Sequence, residues 1–113
     1  MQSQDIKVTP SKQTKMVKIE LEAEDYDYYI RIMEDDFDRV NEFFNKESNE
    51  VLFDECIFDV DQHYNELCIQ RHSGKVLFIF GATSLDFEDK EETIEMTEEQ
   101  CKELLLDVLN GIK

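Results

Sequence analysis

The run Val76-Leu77-Phe78-Ile79-Phe80 constrains this chain more than any other stretch. It is a short, continuous apolar segment, which reads as a strand. Alternate residues of a strand point to opposite faces of a sheet. Both faces of this one are apolar, so it is expected to be covered on both sides and to lie at the centre of the domain. His72-Ser73-Gly74 stands before it as a tight turn, with Gly74 free to take positive φ. Glu66 to Arg71 reads as the antiparallel neighbour, with Leu67 and Ile69 on one face. Val51 to Val60 reads as a further strand, its alternation interrupted by Asp54, Glu55 and Asp59.

The remaining segments are cover or edge for this core. Residues 15–23 alternate, with Val17, Ile19, Leu21 and Ala23 on one side, as in a strand with one wet face. Tyr28 to Met33 forms a hairpin with it, with Tyr28, Ile30 and Ile32 on the inner face. Phe37, Val40, Phe43 and Phe44 recur at spacings of three and four, which predicts a helix over Asp36–Lys46, capped by Asp35 or Asp36. Thr97-Glu98-Glu99-Gln100 has the form of a capping box and opens a second helix over Glu98–Asn110. Cys101, Leu104, Leu105, Val108 and Ile112 are its expected apolar face, and Gly111 its expected stop. Asp86 to Glu95 is mainly acidic, with a short edge strand at Thr93 to Met96. Residues 1–14 read as a flexible tail, or as an edge strand at Ile6-Lys7-Val8, and 15–113 as one domain. The order β-β-α-β-β-β-(β)-α predicts a two-layer α+β domain: a mostly antiparallel sheet with two helices.

At 113 residues, a chain that is 41% hydrophobic can bury a core without metal or disulfide support. Its three cysteines, Cys56, Cys68 and Cys101, form no close pair. Together with the lack of a secretory signal, they point to free thiols and a cytoplasmic location. The formal net charge is −16, unevenly distributed. From Ile19 onward, 27 acidic residues stand against 8 basic ones, a balance of −19. Such a body repels nucleic acid and anionic membranes and attracts basic proteins.

Motifs for chemistry are missing. Asp59-x-Asp61-x-His63-x-Asn65 has the alternation of a calcium loop, but Tyr64 stands where that loop needs Gly and Gln70 where it needs Glu. His63, His72 and Cys68 offer a Cys/His pair with no third orienting group. Phosphate-loop, dinucleotide and metalloprotease signatures do not occur. Neither a reaction nor a cofactor nor a metal is expected.

The informative feature is Glu24-Asp25-Tyr26-Asp27-Tyr28-Tyr29. Tyrosines give large contact area at small entropic cost, and acids beside them steer a basic partner. Asp25, Tyr26, Asp27 and Tyr29, with Asp35 and Asp36 as neighbours, form the first candidate interface. Asp86, Glu88, Asp89, Glu91 and Glu92 form the second.

A small, strongly acidic α+β chain without catalytic signature resembles, in its whole-chain profile, the immunity proteins of bacterial toxin systems, including those of contact-dependent growth inhibition. The resemblance implies a non-catalytic antitoxin that binds a cognate toxin domain, often a basic nuclease. It transfers no residue roles. A second group with this profile is the phage-encoded inhibitors that mimic nucleic acid, the anti-restriction and anti-CRISPR proteins, whose carboxylates stand in for phosphates.

Overall fold

The computed structural model of the chain describes residues 6–24, 26–57, 63–85 and 87–112, apart from the side chains of residues 56, 57, 87 and 88. The elements are β1 (Ile6–Ser11), β2 (Met16–Glu22), β3 (Asp27–Met33), α1 (Phe37–Phe44), β4 (Glu50–Ile57), β5 (His63–His72), β6 (Lys75–Ser84), β7 (Phe87–Thr97) and a C-terminal helix, residues 98–112. The class is α+β, with antiparallel pairing and two helices. The strands divide into two sheets, however: β1-β2-β3, called sheet A, and β4-β5-β6-β7, called sheet B. The division falls at α1, which carries the chain from β3 to β4 in place of a hairpin turn.

Sheet A is built by alternation. Val17, Ile19 and Leu21 on β2 and Tyr28, Ile30 and Ile32 on β3 are buried, and the residues between them are at least partly exposed. Of the two readings of the N-terminal stretch, the edge strand forms: β1 pairs with β2 from Ile6 opposite Leu21 to Ser11 opposite Met16. Residues 1–5 lie outside the described part.

Sheet B turns Val51 and Phe53, Leu67 and Ile69, Val76, Phe78 and Phe80, and Ile94 and Met96 inward. These side chains meet the inner face of sheet A in one continuous core. β3 lies against β4, β5 and β6. Arg31 of β3 crosses to β4, its Nε donating to Glu55 Oε1 at 2.7 Å. The turn between β5 and β6 has Ser73 at φ 51° and Gly74 at φ 79°, the two positive values of a type I′ hairpin.

The helices plug one end of this sandwich. In α1 the predicted face is buried: Phe37, Val40, Phe43 and Phe44. A 3-10 turn, Glu34–Asp36, leads into it, and Asp36 does not cap. The Asp36 carboxylate is drawn instead to Arg39 Nη1 at 3.2 Å. The capping box forms as expected: Gln100 N–H donates to Thr97 Oγ1 at 3.1 Å, and Thr97 N–H to Gln100 Oε1 at 2.9 Å. Beyond it, a π turn at Lys102–Leu106 inserts extra backbone and rotates the face. Cys101, Leu105, Leu109 and Ile112 are therefore the buried set, and Leu104 and Val108 are only half-buried. Gly111 does not stop the helix, which runs to Ile112.

Arg71, at the inner end of β5, ties this pole together. Its Nε and Nη2 donate to Glu98 Oε1 at 3.1 and 2.7 Å. Its Nη2 also donates to Phe43 O at 2.8 Å, a carbonyl at the end of α1. Its Nη1 donates to Ser48 O at 3.2 Å. The guanidinium stands over the Phe43 ring, 4.3 Å from its centroid.

Among the described residues, no helix is long and apolar enough to cross a membrane.

Candidate functional site

The expectation that Val76–Phe80 is covered on both sides does not hold. Val76, Phe78 and Phe80 are fully buried, but Leu77 and Ile79 on the other face remain half-exposed. Both helices send their apolar residues into the core between the sheets, which leaves the outer face of sheet B open. A strand apolar on both faces had implied a second layer. Here that layer is not supplied from within the described chain.

The register shows what the open face presents. Leu52, Cys68, Ile79 and Thr93 lie side by side across the four strands. The row on one side is Glu50, Gln70, Leu77 and Glu95. The row on the other is Asp54, Glu66, Gly81 and Glu91. An apolar centre of Leu52, Leu77 and Ile79 is thus framed by carboxylates. Leu52, 43% exposed, is among the most exposed large hydrophobic residues described.

Several contacts shape this rim. Tyr64 donates its hydroxyl to Asp54 Oδ2 at 3.2 Å, and Thr83 donates to Asp89 Oδ1 at 3.0 Å. Glu66 lies flat across Gly81, where an added Cβ would come within 2.9 Å of the glutamate Cγ. Cys68 donates from Sγ to Glu50 Oε1 at 3.4 Å. Burial and the Glu50 carboxylate push its thiol up to about 11, so it stays protonated at neutral pH. Cys101 is held at about 12, chiefly by burial. Both are free thiols. The side chain of Cys56 lies outside the described part.

The first predicted surface is dispersed. Asp25 lies outside the described residues. Tyr26 is half-buried, packs against the core and meets Tyr28 edge-on at 5.1 Å between centroids. Asp27 is exposed at the start of β3. Tyr29 faces outward on sheet A, half-covered by Lys18, whose Nζ stands 5.1 Å above the ring. Asp35 is exposed and lines a shallow groove of about 540 Å³ with Glu34, Phe37 and Asp38. That groove and Asp27 are at opposite ends of β3, roughly 20 Å apart along the strand.

The second predicted surface fares differently. Asp86 and the Glu88 side chain lie outside the described part. Asp89 and Glu91 are exposed on the outer face of sheet B, and Glu92 turns to the inner side opposite Phe80. The open face therefore gathers two predicted residues with Glu50, Leu52, Asp54, Glu66, Leu77, Ile79 and Glu95, which the linear reading left out. These residues are scattered over several strands in the sequence, and only the strand register brings them onto one face.

Of the calcium-like motif, Asp59 and Asp61 lie outside the described residues, and Asn65 points into the core. No cluster of three or more His, Cys, Asp or Glu suited to a metal occurs among the described residues. Asn65 is 1% exposed and pairs across the strands with Glu55. Among the described residues, neither its Oδ1 nor its Nδ2 has a hydrogen-bond partner, and Glu55 Oε2 is likewise unpaired.

No family model, curated protein or solved structure matches the chain.

Proposed function

We propose that this chain is a non-catalytic immunity protein that binds a basic toxin domain through the outer face of sheet B. The observation that carries the reading is the open face itself, with Leu52, Leu77 and Ile79 at its centre and carboxylates around them. A half-exposed apolar centre with a charged rim is the usual anatomy of a protein interface. The apolar centre supplies affinity on desolvation, and the rim supplies rate and selection for a basic partner. The nucleic-acid mimic is the weaker reading, because a phosphate-like track needs unbroken rows of carboxylates. Here the rows are interrupted by Leu52, Leu77, Ile79 and Thr93.

The direct test is co-expression with a candidate toxin gene from the same locus, followed by calorimetry of the purified pair. Rescue of growth and one-to-one binding are expected. Association should slow as salt rises, since charge steering is screened beyond about 8 Å at physiological ionic strength. A double change, Leu52→Ser with Leu77→Ser, should weaken binding roughly thirtyfold or more, as for the loss of a hot spot. The pair Tyr26→Ala and Tyr29→Ala should weaken it far less. The opposite ranking would move the interface to the tyrosine-bearing surface. No rescue and no binding would remove the immunity reading.

A further inference from the structure

A sheet exposes unpaired backbone at its edges, and each edge is a template for another strand unless something blocks it. Among the described residues, the two sheets have four edges. β1 carries Pro10, which has no N–H to offer, and packs against the C-terminal helix. β3 and β4 pack against one another and are tied by Arg31 and Glu55. β4 also packs against α1, and Arg39 Nη2 takes up the Leu52 carbonyl. Among the described residues, β7 has one strand neighbour, β6, and only the helix that follows it adds substantial packing.

The hairpin fixes which groups of β7 are free. In a type I′ turn the flanking residues, His72 and Lys75, form a hydrogen-bonded pair. Hydrogen-bonded and non-bonded pairs then alternate along an antiparallel ladder. Lys75, Leu77 and Ile79 thus spend their backbone groups on β5, and Val76, Phe78 and Phe80 spend theirs on β7. Their partners on β7 are Met96, Ile94 and Glu92. Glu91, Thr93 and Glu95 must therefore aim their N–H and C=O groups away from the sheet. Thr97, next in the series, fits: its N–H is taken by Gln100 Oε1 and not by β6. The same alternation places the Leu52 carbonyl on the free side of β4, where Arg39 meets it.

We propose that β7 is a docking edge for an extended segment of the partner, added to sheet B as a fifth strand with lysine or arginine at alternate positions. Asp89, Glu91 and Glu95 project on the outer side of this edge. Pairing with a second copy would set these acids against their own kind, which is destabilising. A basic strand would set cations against them. The proposal takes the partner's basic character from the immunity reading, but its geometry is independent of it.

The test uses the whole protein and a short synthetic peptide alternating lysine and threonine, with a glutamate–threonine peptide as control. Binding of the lysine peptide should slow amide hydrogen exchange at Glu91, Thr93 and Glu95. Thr93→Pro removes an outward N–H and leaves the β6 ladder intact. It should weaken peptide binding by about tenfold or more, the worth of one or two net hydrogen bonds. N-methylation of the peptide on its pairing edge should do the same with the unaltered protein, whatever the proline does to folding. Protection confined to the outer face around Leu77 and Ile79, with N-methylated peptide bound equally well, would overturn the edge and leave the face reading standing. Equal binding of both peptides would also overturn it. Loss of toxin binding in the co-expression experiment would instead remove the functional reading.

Discussion

Replacing Arg71 with Met keeps an apolar stem and removes the guanidinium, with its charge, its hydrogen bonds and its contact over Phe43. The side chain is about 15% exposed and donates to Glu98, to Phe43 O and to Ser48 O. Removing one partner of a well-buried ion pair costs about 3–5 kcal/mol, and a charged hydrogen bond about 1.5–3 kcal/mol. Because Glu98 keeps 28% of its side-chain exposure, and can be resolvated, the lower end applies. The expected loss is about 3 kcal/mol in the urea-denaturation free energy at pH 7. Arg71→Lys should recover little of it, since an ammonium cannot reproduce the planar fork. The pH dependence gives a second check. The hydrogen bond from Arg71 holds the Glu98 carboxyl below its ordinary range. A depressed carboxyl contributes stability above its unfolded pKa, about 4.3, and loses it as pH falls through the folded value. The gap between wild type and Arg71→Met should therefore narrow on acidification below about pH 4. A loss under about 1 kcal/mol with a gap independent of pH would refute the role assigned to this residue.

Three further outcomes are expected. Phe78→Ala, at a site with 0% exposure, should cost about 3–5 kcal/mol in denaturant melts, and a value under about 1 kcal/mol would contradict its place in the core. Asn65→Leu keeps the branched shape and deletes two unpaired buried atoms, so it should stabilise by about 1 kcal/mol; a comparable loss would mean that ordered water satisfies the amide. Cys68 and Cys101, with thiols at about 11 and 12, should resist iodoacetamide in the native protein at neutral pH and react fully after unfolding. Their rapid alkylation in the folded state would argue against the packing described.

Local signals carried best from sequence to structure. The Thr97–Gln100 capping box and the phenylalanine spacing of α1 are settled within a few residues, and both formed. The buried set of the C-terminal helix shifted because a π turn, which leaves no mark in hydrophobic spacing, rotates the face after Cys101. β7 was legible only at Thr93 to Met96. Its first half places Lys90 and Glu92 on the inner side, so no apolar alternation announces a strand. Leu77 and Ile79 were misplaced for a different reason. An apolar strand face reads the same whether a helix of its own chain or an outside surface is meant to cover it. The division into two sheets had no local signature, since it depends on how α1 turns the chain between β3 and β4.

The alternation along β5 and β6 assigns neighbouring residues to separate tasks. Leu67, Ile69, Phe78 and Phe80 answer to the core, whereas Glu66, Cys68, Leu77 and Ile79 face outward and are only half-buried. Substitutions in the second set should cost the fold less than those in the first. The open face can therefore vary, residue by residue, while the fold beneath it stays fixed. Sequences sharing this fold should accordingly differ most at alternate positions of these strands and least at the positions between.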